Sequence, residues 1–398
     1  MVPAHVPAER VVDFDIFNPP GVERDYFAAW QALASAGGPG LVWTTANGGH
    51  WIATQGAVVR TLWSDAERLS SACLAVTPGL GEVMQFIPLQ QDGAEHKAAR
   101  GAVMKGLASR HVVAMEPQVV AAARELIAAL RPRGECEFVA DFAEILPLNV
   151  FLTMIDVPLE DRPRLRRLGA QLTRPDGAMT VEQLKQAADD YLWPFIAKRM
   201  ATPGDDLFSR ILSEPLDGRA WSVDEARRMC RNLLFGGLDT VAAMIGMVAL
   251  HLARHPQDQD LLRAQPDLIP AAADELMRRY PTVGVSRNAV ADVPIDDVVI
   301  RTGDLVYLPS VLHNLDPGCF DQPETVDFAR GLSPMRHTTL GAGAHRCVGA
   351  GLARMEVIVF LREWLGAMPR FALAADQPVT MKGGNVGACT RLPLAWPV

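Results

Sequence analysis

Residues 340–349 read Leu-Gly-Ala-Gly-Ala-His-Arg-Cys-Val-Gly, and the run that follows to Met368 carries apolar residues at three- and four-residue spacing. Cys347 therefore stands just ahead of a helix that begins near Gly349. A helix N-terminus carries partial positive charge, and His345 and Arg346 add to it, so the setting predicts a thiol displaced toward thiolate. Gly341 and Gly343 permit the backbone of a tight loop, and Gly349 lets the helix backbone approach a flat partner. A thiolate with backbone N–H groups turned toward its sulfur is what an axial haem ligand needs. Two other readings stay open on these residues alone. One is a buried structural cysteine. The other is a dinucleotide loop, since Gly341-x-Gly343 and Gly349-x-Gly351 both occur, although neither completes Gly-x-Gly-x-x-Gly and no βαβ unit surrounds them.

The rest of the chain narrows the choice. Its 398 residues are 49% hydrophobic, enough for a large core and too apolar for a disordered chain. A net charge of −8 without a Lys/Arg-rich run argues against nucleic acid as a partner. The N-terminus shows no basic segment followed by an apolar one, so no signal peptide is expected. The stretch from Val241 to Ala253 is too short to span a bilayer and reads as a buried helix. Six scattered cysteines without a Cys-x-x-Cys pair form no disulfide framework, and a reduced cytoplasm is the expected setting.

Helical periodicity dominates, most clearly in 119–132, 224–255, 269–280 and 349–368. Leu41–Thr54 reads as a hairpin around Asn47-Gly48-Gly49, and Ile295–Pro309 as a second β pair turning at Thr302-Gly303-Asp304. The last fifteen residues leave room for one more strand. The expectation is one domain over 1–398, mainly α with small peripheral β-sheets. Glu275 and Arg278 share one helix face. Gly236 and Gly237, ahead of Asp239 and Thr240, interrupt an apolar helix at a cost of about 1 kcal/mol each relative to alanine. His251 and His255 lie four apart, but Leu252 stands where His-Glu-x-x-His needs glutamate, so a helix end is expected and not a zinc site.

The loop 340–349 resembles the haem-binding loop of cytochromes P450, Phe-x-x-Gly-x-His/Arg-x-Cys-x-Gly, with Leu340 in place of the phenylalanine. That resemblance implies the P450 fold, a triangular helical prism around haem b, with Cys347 as iron ligand. It makes Glu275-x-x-Arg278 a buried ion pair, completed by Arg330, that braces the cysteine loop. It gives His96, Arg100, Arg287 and His345 to the haem propionates. It makes Gly236–Thr240 the distal kink where Asp239 relays protons and Thr240 donates one toward dioxygen.

Within that family the chain is most similar to the camphor 5-monooxygenases. Asn47–Thr54, Thr173–Gly177, Arg227–Cys230, Gly236–Val241, His337–Thr339 and Leu392–Trp396 recur there in the same order. The resemblance pairs Arg174 with Asp239 in a salt bridge. It also exposes departures. Met84 stands where the ketone-binding tyrosine would be, Ala75 for a phenylalanine, and Asn232 for a leucine. Ala72 replaces a cation-anchoring carboxylate, and Val285 an aspartate near Arg287. Phe86, Leu89, Leu172, Phe235, Val283, Asn385 and Val386 complete the implied pocket. The loss of the tyrosine and phenylalanine suits a larger hydrophobic ketone, a terpenoid or norisoprenoid of the ionone type. A haem-thiolate monooxygenase is implied, working as a soluble monomer. Its electrons would come from a [2Fe–2S] ferredoxin served by an NAD(P)H-dependent reductase. Arg60, Lys97, Arg100 and Arg346 would form the basic docking face. A haem-binding sensor or carrier is the alternative. It would keep Cys347 and the brace and have no use for Asp239 and Thr240.

Overall fold

Capping boxes set where two of the long helices begin. The computed structural model, which describes residues 2–34, 38–331, 333 and 336–398, places capping boxes at Thr180/Gln183 and Ser222/Glu225. The helices that frame the site are α1 (Gly93–Gly106), α2 (Ser109–Leu130), α3 (Arg162–Thr173), α4 (Val181–Ala201), α5 (Val223–Leu238), α6 (Thr240–Arg254), α7 (Ile269–Arg279) and α8 (Ala350–Ala367). Apolar residues at helical spacing on α2 and α8 pack into the central core. Within that core the rings of Phe138, Phe142, Phe360 and Trp364 pack together, with 4.9 Å between the Phe142 and Trp364 centroids.

The stretch 223–254 is apolar and long enough by composition to cross a membrane, yet it is mostly buried inside the protein. It is broken at Asp239, whose backbone (φ −132°, ψ −30°) leaves the helical region. The two glycines before the break do different things. A Cβ on Gly237 would lie 2.6 Å from Phe151, so close packing requires that glycine. A Cβ on Gly236 would meet nothing within 4 Å, and Gly236 is exposed although Phe235 and Leu238 beside it are buried.

A six-stranded sheet flanks the helices, ordered 11–12, 41–44, 50–53, 305–309, 284–289, 69–70. The expected hairpin forms, with Trp43 opposite Trp51 and Asn47 left-handed at φ 53°. The second expected pair does not. Val298–Ile300 pairs with Val293–Ile295 around left-handed Asp296, while Leu305–Pro309 joins the large sheet between 50–53 and 284–289. The turn at Gly303 exists, but it separates two sheets. Alternation marks a strand without naming its partner. The C-terminal segment supplies two strands, Ala388–Arg391 and Pro393–Ala395.

Candidate active site

The cysteine loop is built as its glycines require. Gly341 and Gly343 adopt φ of 78° and 63°, and a Cβ on Gly343 would press to 3.0 Å from Ser64. The Gly341 amide donates to the Thr338 carbonyl, and the Cys347 amide to that of Leu340 at 2.8 Å. α8 starts at Ala350 without a capping side chain, and the Gly349 amide donates to the Cys347 sulfur. Cys347 keeps exposed surface, but its thiol lies deep enough that desolvation prevails. Burial pushes the thiol above its usual range, against the pull of the Gly349 amide, Arg100 and Arg346. In the polypeptide alone the nearby positive groups do not outweigh burial. A metal that binds the sulfur takes up that role by displacing the proton.

Behind the loop sits the brace. Glu275 and Arg278 of α7 are 1% and 0% exposed. Arg278 uses all five of its N–H donors. Two go to Glu275 at 2.8 Å each, and three to the carbonyls of Asn314, Pro323 and Thr325. Arg330 adds a bond to Glu275 at 3.1 Å. The sequence reading missed how this reaches the cysteine. Asn314 donates to Thr339 and accepts from the Thr338 amide, and Thr339 donates to the Met277 carbonyl. The motif His337–Thr339 was visible in sequence, but nothing local singled out Asn314.

Basic side chains from three elements converge beside the loop. His96 and Arg100 come from α1, Arg287 from the strand 284–289, and His345 from the loop itself. The His96 and His345 rings stack with centroids 3.9 Å apart, and Arg100 donates to the Arg346 carbonyl at 2.6 Å. Burial, with His96 and Arg287 adding, pushes His345 down to about 4. Burial and then Arg100 lower His96. Arg287 is 5% exposed, donates to the adjacent Ser286 carbonyl and forms no ion pair among the described residues. His96 Nε2 is buried without a partner there. Asp92 is the one carboxylate beside them among the described residues, 3.5 Å from His345 Nε2, and the donors it leaves open on Arg287 and His96 fit the carboxylates of a bound cofactor.

Arg174, the residue after α3, grips Asp239 with two nitrogens, one at 2.8 Å, and gives a further bond to the Val386 carbonyl at 3.0 Å. Thr240 donates its hydroxyl to the Gly236 carbonyl at 3.0 Å. Met84, Ala75, Phe86, Phe235 and Val386 are buried, and the rings of Phe86 and Phe235 lie 5.8 Å apart. Val283 bridges Val386, and Asn385 donates to the Leu172 carbonyl. Two expected lining residues behave differently. Leu89 is exposed on a turn, and Asn232 gives its amide to the Ile87 carbonyl at 3.0 Å. His251 is held between Tyr280 and Asp258, and no group of three or more His, Cys, Asp or Glu suited to a metal ion occurs among the described residues. Arg60 and Lys97 are exposed, and Arg100 and Arg346 half-buried.

Residues 178–367 match the profile of the family Cytochrome P450. The crystal structure of cytochrome P450 CYP101C1 is 80% identical with a TM-score of 0.94, covering 100% of both chains. That of CYP101J2 is 36% identical with a TM-score of 0.91, again over 100% of both. The probable cytochrome P450 127A1 of Sinorhizobium fredii is 33% identical, over 99% of this chain and 97% of its own. A glycine loop that turns an amide onto its cysteine, and relatives that match it end to end, lead to one conclusion: the chain belongs to the cytochrome P450 monooxygenases.

Proposed function

We propose that this chain hydroxylates a hydrophobic terpenoid or norisoprenoid ketone of the ionone type, with Cys347 as the axial ligand of haem b. The observation that carries the reading is the Cys347 sulfur under the Gly349 amide, in a loop tied to the buried Glu275–Arg278–Arg330 brace. When bound, the haem supplies dioxygen activation, one oxygen atom entering a C–H bond of the substrate and the other leaving as water. Cys347 holds the group from one side, and Gly341 and Gly349 allow the backbone to approach it. His96, Arg100, Arg287 and His345 take its carboxylates. The Arg174–Asp239 pair and the motifs at 173–177 and 236–241 support a place within the camphor 5-monooxygenase group. Arg60, Lys97, Arg100 and Arg346 form the face for a [2Fe–2S] ferredoxin supplied by an NAD(P)H-dependent reductase. The protein works as a monomer.

Asp239 and Thr240 would hold and pass protons. Asp239 is locked by Arg174, so it becomes a carrier once that pair opens. Thr240 parks its hydroxyl on Gly236 and is placed to turn toward the reacting oxygen. A haem sensor would have no use for this pair. Thr240→Ala is expected to bind substrate as before while product formed per NAD(P)H falls and hydrogen peroxide rises. Unchanged coupling would remove Thr240 from the reaction.

Met84 cannot give a ketone the hydrogen bond that a tyrosine gives, a contribution of about 0.5–1.5 kcal/mol. Ala75 adds room that a small rigid ligand leaves unfilled. Camphor is therefore expected to produce a weaker and less complete low-spin to high-spin shift than β-ionone. A tighter and fuller shift with camphor would refute the pocket and leave the haem-thiolate reading intact.

A further inference from the structure

We infer that α5 latches the substrate loop from outside and Gln90 staples it from within, so that Arg228, Arg231, Asn232 and Gln90 are positioning residues that set which ligands the pocket accepts. The inference rests on the reading above, that Met84 and Phe86 face the substrate.

Residues 228, 231 and 232 share one face of α5. Each donates to a main-chain oxygen of the loop. Arg228 Nε reaches the Gln85 carbonyl at 2.7 Å, Arg231 Nη2 the Met84 carbonyl, and Asn232 Nδ2 the Ile87 carbonyl at 3.0 Å. The loop is shaped to receive them. Its short helix Leu80–Met84 ends at Gln85, which is left-handed at φ 48°. The last carbonyls of a helix have no partner within it, and α5 supplies partners for two of them, those of Met84 and Gln85.

Gln90 works from the other side. Its amide nitrogen donates to the carbonyls of Ala72 and Gly81, at 2.8 and 2.9 Å, and its oxygen accepts from the Phe86 amide at 2.8 Å. One carboxamide thus joins three points of the loop. Arg231 is 1% exposed, and its charge is met by Asp189 of α4, which also accepts from Lys185. A single guanidinium therefore fastens α4, α5 and the loop together. Breaking it would disturb α4 and α5 as well as the loop, so the informative substitutions lie beside it.

The test uses the full-length haem-loaded protein with Arg228→Ala, Asn232→Leu and the double variant. In the ligand-free state, hydrogen exchange at the amides of residues 84–87 is expected to accelerate about tenfold in either single variant, as for loss of one well-placed bond. It should accelerate further in the double variant. Titrated with β-ionone and with camphor, the variants should show spin-shift dissociation constants raised about tenfold for the better ligand. The ratio between the two ketones should move toward one, with the ferrous–CO band unchanged. A purely structural role would not compress that ratio. Parental exchange at 84–87 together with a parental ratio in both single variants would overturn the latch. If neither ketone shifts the parent's spin state, the substrate reading fails by itself, and the exchange measurement still decides the latch.

Discussion

Cys347→Ala is expected to abolish the long-wavelength ferrous–CO absorbance that only a thiolate-ligated haem gives, while far-ultraviolet circular dichroism stays parental. The loop itself should survive, because the bond from residue 347 to Leu340 is between backbone groups. No other cysteine is placed to substitute. Cys136, Cys230 and Cys389 are buried, and Cys73 and Cys319 are half-buried outside the 340–349 loop. Persistence of the band in Cys347→Ala would assign the iron to another sulfur and refute the active site described above.

Glu275→Gln is expected to cost about 3–5 kcal/mol, because it leaves the fully buried guanidinium of Arg278 without its counter-charge. Asn314, Thr338 and Thr339 link that pair to the cysteine loop, so the loss should appear as haem release at lower urea concentration. Lys105–Glu214 serves as the control. It is a solvent-exposed pair, and Glu214→Gln should change stability by no more than about 1 kcal/mol. Comparing the urea midpoints of haem absorbance for the two variants decides the matter. If Glu275→Gln unfolded no earlier than Glu214→Gln, the brace would have no structural role.

The parts of this molecule that sequence made legible are those encoded locally. Periodicity located α2, α5–α6, α7 and α8, and the 340–349 loop carried its glycines, its cysteine and its helix together. Glu275 and Arg278 were visible as one helix face. What sequence could not supply was pairing across the chain. The strand 305–309 looked like half of a hairpin because alternation is blind to which edge a strand joins. Asn232 read as a pocket wall because its side-chain bond ends on a backbone oxygen 145 residues away. Gln90 and Asn314 gave no signal, since a carboxamide that ties backbone groups together looks in sequence like any surface residue. The charges that act on Cys347 are written beside it, whereas its desolvation depends on chain segments far from it.

Three side chains of α5 hydrogen-bond the 84–87 loop only through its main-chain oxygens, and that has a consequence for how such an enzyme changes over generations. Carbonyl oxygens are the same whatever side chain a residue carries. Met84 can therefore be exchanged without disturbing those bonds, whereas the Phe86 ring lies 6.0 Å from the Arg231 guanidinium and shares in the hold. Diversity can accumulate on one partner under a fixed constraint on the other. A lineage built this way can try new ligands by single steps at position 84 and keep the loop in place at each of them.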